Sequence, residues 1–197
     1  MVKKKSLMTA GDYKKDLPPN RYEILNYCKQ LKTPRDKALL AFIYLTGCRI
    51  EEVVKYKTKG TIMGRPIKKE QVSIRDSVIE VHNVRVLKRR GRAYKTIPII
   101  RNDIEKPFIN ILLDYLKTLS DDDYLFNMTR ERAWQILNEI DIFPHLLRHC
   151  RATHLITDYD FSTIQLQRFI GWKKLDSASD YLHLSTKDLI KKMEERK

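Results

Sequence analysis

Four separated stretches carry side chains able to act on an anionic oxygen and to move protons near it. The first is Thr46-Gly47-Cys48-Arg49-Ile50-Glu51-Glu52-Val53. The second is a basic run between Val84 and Arg101 that includes Lys88. The third is His145-Leu146-Leu147-Arg148-His149-Cys150-Arg151-Ala152-Thr153-His154-Leu155. The fourth is Ile170-Gly171-Trp172, with Tyr181 nine residues after the tryptophan. Guanidinium forks donate paired hydrogen bonds to anionic oxygens and stay charged while doing so. His and Lys transfer protons, an indole N–H donates, and a tyrosine hydroxyl can attack and hold a covalent intermediate. Each residue also has a plainer reading: a helix-starting Arg as surface charge, a lone Tyr as packing, H-x-x-R-H as a polar helix face.

Positioning such groups needs a folded scaffold, and the pattern of apolar residues supplies one. Helical spacing begins after Pro18-Pro19-Asn20 in RYEILNYCKQLK. Thr33-Pro34 reads as an N-cap followed by Pro at the first helical position. The helix it opens, DKALLAFIYLTG, is apolar nearly all round, which marks a buried element that Gly47 can end. RIEEVVKYK reads as a short third helix, and residues 57–69, rich in Gly, Pro and Lys, as a loop. From about Gln71 to Ile100 the β-branched segments QVSIRD, VIEVHNVRVLK and AYKTIPII predict three strands, with a turn at Arg89-Arg90-Gly91-Arg92. Helices return in KPFINILLDYLKTL and, after Asp121-Asp122-Asp123, in TRERAWQILNEI. Four more are expected at about 144–158, 161–171, 176–184 and 186–196. The prediction is a mostly helical α+β domain with one small three-stranded antiparallel sheet.

Composition bounds the partner. The chain has 197 residues, enough for one good-sized domain, and 42% of them are hydrophobic, which argues for a real core. Lys and Arg number 39 against 25 acids, a net charge of +14 that points to a polyanion. Seven basic residues (Arg85, Lys88, Arg89, Arg90, Arg92, Lys95, Arg101) and no acid fall between Val84 and Arg101, so half the net charge sits in this hairpin. Such a ribbon can lie along a DNA groove and replace condensed counterions. The plainer reading is a solvated hairpin whose Lys and Arg protect an edge strand.

Cys28, Cys48 and Cys150 lie far apart without C-x-x-C spacing, so neither zinc nor a disulfide framework is expected, and Cys48 and Cys150 read as core residues. No stretch approaches the roughly 20 apolar residues of a membrane span. MVKKKSLMTAG lacks the apolar run of a signal peptide, so a cytoplasmic location is expected, that of the host if the gene is viral or plasmid-borne.

Taken together and in this order, the four stretches resemble the tyrosine recombinase family, which includes phage integrases and the Xer-type resolvers of chromosome dimers. The resemblance runs from Leu17 to Lys197. T-G-x-R with a Glu three residues after the Arg is matched by Arg49 and Glu52. H-x-L-R-H followed by A-T-H-L is matched at 145–155, and the Gly-Trp element at Gly171-Trp172, with Tyr181 at the family's interval.

The resemblance implies DNA cleavage and rejoining, with Tyr181 attacking a phosphodiester to hold a 3′-phosphotyrosyl link. Arg49 and Arg148 would clamp the nonbridging oxygens, and Lys88 would give the leaving 5′-oxygen its proton. His145 would assist proton transfer at the tyrosine or bond the phosphate, Trp172 would donate through its indole and close the site, and Glu52 would orient Arg49 or a neighbouring basic group. Arg85, Arg89, Arg90, Arg92 and Lys95 would contact DNA. No cofactor or metal is implied. The partners implied are double-stranded DNA and other copies of the chain, as a tetramer on paired sites.

The sequence departs from the family pattern in two places. The hairpin run L-K-R-R-G-R-A-Y-K-T-I-P-I is about a residue longer than the family's, and an ungapped alignment from Pro98 brings Arg90 nearer the proton donor's place than Lys88. Only a basic arm, residues 1–16, precedes the catalytic domain at 17–197, where the family carries an N-terminal DNA-gripping domain. The chain therefore reads as a fragment or as a minimal recombinase. Beyond Tyr181, Ser185 or Thr186 can cap a helix with Leu189, Ile190 and Met193 on one stripe. That stripe packs on its own domain or docks on a neighbouring protomer. Two other activities use the same residue types: nicking and religation of the type IB topoisomerase kind, and site occupation by a non-catalytic DNA-binding remnant.

Overall fold

A computed structural model of the chain describes residues 18–58, 61–63, 65–87 and 93–174. Helix α1 (Arg21–Gln30) starts at Asn20, whose side chain accepts the Glu23 N–H while the Glu23 carboxylate accepts the Asn20 N–H. Helix α2 (Pro34–Thr46) starts as its sequence predicts, with Thr33 capping the Asp36 N–H and Pro34 in the first turn. Every residue from Ala38 to Thr46 is buried, because α1, α4 (Lys106–Leu116), α5 (Arg130–Asn138) and α6 (Pro144–Tyr159) all pack around it. Gly47 ends α2 at φ +59°, a left-handed conformation that favours glycine; a Cβ there would stand 2.7 Å from Ile170 Cδ1, so that side-chain end would have to shift.

Helix α3 is a single turn, Ile50–Val53, shorter than its sequence suggests. An antiparallel ribbon, β1 (Tyr56–Thr58) with β2 (Thr61–Met63), starts at the end of the expected third helix and runs into the segment read as a loop, and a 3-10 turn at Lys69–Gln71 leads on to the sheet. Three residues per strand give too short a pattern for alternation to be visible in the sequence.

The expected three-stranded sheet is present, in the order β3 (Val72–Ile74), β4 (Val78–Val86), β5 (Ala93–Ile100), all antiparallel. A bulge interrupts β4: Val81 faces Ile97 and Val84 faces Lys95, so three steps on one strand match two on the other. Asn83 takes the extra residue at φ +54°. The bulge resets the alternation, and Ile79, Val81, Val84 and Val86 all stay buried.

Helix α6 carries the third motif and is anchored by a buried ionic cluster. Glu105, just before α4, accepts from Arg151 Nη1 at 2.5 Å and from the Tyr159 hydroxyl at 2.9 Å. Arg21 of α1 pairs with Asp158 and reaches Glu105 at 3.5 Å. Burial alone would raise the Glu105 carboxyl, but the Arg151 guanidinium outweighs it and holds the group below its ordinary value. Helix α7 (Thr163–Ile170) closes the described fold, with Ser162 capping the Gln165 N–H and Gly171 in the left-handed region at its end.

Candidate active site

Gly47 turns the chain out of α2 so that Arg49 stands at the N-terminus of α3. There the Glu52 carboxylate takes both of the Arg49 donors that face it: the backbone N–H at 2.9 Å and Nη1 at 3.2 Å. Glu52 is buried, and the same oxygen that accepts Nη1 also accepts the Leu87 N–H at 3.1 Å. One carboxylate thus orients Arg49 and holds the end of β4, a residue short of Lys88.

His145 and Arg148 sit three residues apart in the first turns of α6, on one face of the helix. His145 is exposed and Arg148 is buried. Arg148 Nη1 donates to the Gly47 carbonyl at 2.5 Å and Nη2 to the Ile170 carbonyl at 3.1 Å. Both carbonyls lie at helix C-termini, where the backbone dipoles leave negative partial charge. The fork of one guanidinium thereby ties together the ends of α2 and α7.

Arg49, His145 and Arg148 line one cleft of about 900 Å³, together with Leu87. Nearly a hundred residues separate Arg49 from His145 in the chain. Helix α5 also lines the cleft, through Arg130, Trp134 and Gln135. Sequence reasoning did not single these out, although a signal was present: Trp134 stands off the buried Ala133, Ile136, Leu137 face and is 45% exposed. Arg130 pairs with Glu51 at 3.5 Å, which also lines the cleft.

Trp172 follows the left-handed Gly171 and packs against the small apolar cluster of Ala152, Leu155, Ile156, Leu166 and Ile170. It is not among the cleft-lining residues. Arg85 faces Tyr94 across the hairpin. Lys95 is placed differently from a groove-facing lysine: its ammonium donates inward, to the Phe169 and Ile170 carbonyls at 2.8 and 3.1 Å. The sequence was not silent on this, since Lys95 precedes the buried Ile97 and Ile99 at strand spacing. Lys88, Arg89, Arg90, Arg92 and Tyr181 lie outside the described residues, as do the N-terminal arm and the two expected C-terminal helices.

His154, part of the third motif, is a core residue whose Nδ1 lies 2.9 Å from the Tyr44 hydroxyl. Burial, reinforced by Arg21 and Arg151, lowers it to about 4. All three cysteines are buried thiols, and burial pushes Cys28 and Cys150 up to about 12. Among the described residues no group of three or more His, Cys, Asp or Glu could hold a metal ion, and no helix is long and apolar enough to cross a membrane.

Comparison with known proteins decides the ancestry. Residues 17–188 match the Phage integrase family. The chain belongs to that family. Among curated relatives, this integrase-family chain is 29% identical to the tyrosine recombinase XerD of Vibrio cholerae, over 89% of its own length and 59% of the relative's. It is 30% identical to the tyrosine recombinase XerC of Staphylococcus epidermidis, over 80% of its length and 52% of the relative's. The chain thus spans somewhat more than half of these relatives.

Solved structures agree on the fold. The XerH site-specific recombinase bound to palindromic difH substrate, a post-cleavage complex, superposes with a TM-score of 0.61 at 17% identity, covering 98% of this chain and 57% of that one. The catalytic domain of bacteriophage HP1 integrase gives 0.56 at 16% identity, covering 89% of this chain and 90% of that one. The α+β architecture of this integrase-family chain is the tyrosine recombinase catalytic-domain fold.

Proposed function

We propose that this chain is the catalytic domain of a site-specific DNA recombinase that cuts and rejoins duplex DNA through a 3′-phosphotyrosyl intermediate on Tyr181. The observation that carries this reading is the convergence of Arg49, His145 and Arg148 on one cleft. Three donors of this kind, two of them always charged, match the two nonbridging oxygens of a phosphodiester under attack. The cleft-facing first turn of α6 adds the positive end of a helix dipole, which favours the same anion.

In this reading the Tyr181 oxygen forms a bond to phosphorus as the bond to the 5′-oxygen breaks. Arg49 and Arg148 take the charge that develops on the nonbridging oxygens. His145 bonds the phosphate or receives the tyrosine proton. Lys88, next to the cleft-lining Leu87, gives the departing 5′-oxygen its proton. Rejoining runs the same steps backwards from another DNA end, so the phosphodiester energy is kept in the phosphotyrosyl link.

Duplex DNA is the partner that the +14 charge and the basic hairpin fit. The likeness to XerH, whose structure was solved on its difH substrate, supports the same partner; a tetramer on paired sites is proposed from the family resemblance alone. The domain limits proposed are 1–16 for the basic arm and 17–197 for the catalytic domain.

The test begins with a pool of randomised duplexes, from which DNA trapped covalently on the protein is recovered and sequenced. The selected site is then rebuilt with a nick beside the cleavage point, so that the released fragment diffuses away and the covalent product accumulates. A product with wild type and none with Tyr181→Phe is expected. No covalent product from any duplex, in a protein that binds DNA, sinks the enzymatic reading. For Lys88, Lys88→Ala is expected to cleave an ordinary phosphodiester poorly and a 5′-bridging phosphorothiolate well, because a thiolate leaves without a proton. Equal loss on both substrates removes the proton-donor role.

A further inference from the structure

On β5 the alternation that buries Ile97 and Ile99 carries Lys95 to the same side of the sheet. A lysine ammonium there is costly unless it is fully hydrogen-bonded. Two of its bonds are to Phe169 and Ile170, the last carbonyls of α7, at 2.8 and 3.1 Å. The Ile170 carbonyl accepts Arg148 Nη2 as well, at 3.1 Å. Gly171, which follows directly, stands against the same strands: a Cβ on it would meet Val86 Cγ1 at 3.3 Å and Lys95 Cδ and Nζ at 3.6 Å. Lys95 is therefore packed into the junction where the basic hairpin, the phosphate-clamp arginine and the chain leading to Tyr181 meet.

We propose that Lys95 is a positioning residue for cleavage: it fastens the hairpin to the end of α7 and, through the shared Ile170 carbonyl, fixes Arg148 and the exit of the chain toward Tyr181. This rests on the recombinase reading above. The physical logic is that of a short tie. Free carbonyls at a helix C-terminus attract cations, and two cations on one carbonyl hold each other in register only while both donors reach it. Burial lowers the Lys95 amine, Arg148 and Arg49 adding to that effect and Glu52 opposing it, so the tie works against a cost that a purely structural strand position would avoid with an apolar residue. Lys95 does not line the cleft, so it acts through Arg148 and Gly171 rather than on the phosphate itself.

The test compares wild type, Lys95→Met and Lys95→Arg on the nicked duplex selected above, measuring DNA affinity and single-turnover covalent-complex formation separately. Lys95→Met is expected to bind DNA within about twofold of wild type and to cleave at least tenfold more slowly, with Lys95→Arg recovering most of the rate. Circular dichroism confirms the fold; should Lys95→Met not fold, Lys95→Gln carries the same comparison. Cleavage at the wild-type rate in the uncharged variant overturns the proposal. So does a loss of affinity as large as the loss of rate, which would make Lys95 a DNA contact, or an Arg variant no better than Met. A wild type that forms no covalent complex is a different failure, since it removes the recombinase reading itself.

Discussion

The buried carboxylate of Glu52 accepts the backbone N–H of Leu87 at 3.1 Å with the same oxygen that accepts Arg49 Nη1 at 3.2 Å. The proposed phosphate clamp and the strand that delivers the proposed proton donor therefore hang on one atom. Arg49 and the hairpin cannot shift independently while that atom keeps both donors. Glu52→Gln retains the shape but lacks the charge, and its amide must place an N–H where an acceptor is needed. DNA affinity near wild type is expected, with covalent-complex formation slowed on the order of tenfold, less than the hundred- to thousandfold typical of a direct transition-state donor. A rate unchanged in Glu52→Gln would reduce Glu52 to a stability residue.

Arg148 should tolerate no replacement. Its two terminal nitrogens reach carbonyls at the ends of two different helices, and a single ammonium cannot span them. Arg148→Lys is expected to lose roughly a hundred- to thousandfold in cleavage, as for loss of a direct donor. Single-turnover kinetics on the nicked duplex measure this, and a Lys variant within tenfold of wild type contradicts the two-carbonyl account.

The Arg151–Glu105 pair predicts a stability effect with no catalytic component. Both groups are buried, and removing one leaves the other charged without its partner. Arg151→Met is expected to lower unfolding free energy by about 3–5 kcal/mol, and adding Glu105→Gln to return much of it. Urea denaturation of the single and double variants checks both numbers. Additive losses would show that the pair is not coupled.

His154 predicts acid sensitivity. Its folded value of about 4 lies below the ordinary 6.5, so between those limits the unfolded chain binds a proton that the folded chain refuses. The stabilisation is complete above pH 6.5 and is lost as pH falls toward 4, by about 2 kcal/mol between pH 6.5 and 5. Denaturation midpoints across that window measure the slope, and His154→Gln should flatten it. An equal slope in the variant assigns the acid response to other groups.

Much of the scaffold was legible because its signals are local. Thr33-Pro34 starts α2 and Gly47 ends it, where the sequence placed both, since caps depend on residues within one turn. Helix α6 runs Pro144–Tyr159, close to the expected 144–158. The ribbon at Tyr56–Met63 was not legible, because three-residue strands carry too few positions to show a period. The inward turn of Lys95 was written in the alternation of β5, and charge alone pointed the other way. Charge says what a surface attracts, whereas strand parity says which side chains are on that surface.

The motifs by themselves singled out the residues proposed for phosphate chemistry: Arg49, His145, Arg148 and, outside the described residues, Lys88 and Tyr181. A sequence can do this because the chemistry limits the choice of side chain and a helix or turn limits the spacing. Only the tertiary structure decided that Arg49 meets His145 and Arg148 in one cleft that α5 also lines. It alone decided that Glu52 also reaches Leu87, and that Lys95 and Arg148 share the Ile170 carbonyl. Those hydrogen bonds join residues 22 to 75 positions apart, and the core around α2, not any local preference, brings them within reach.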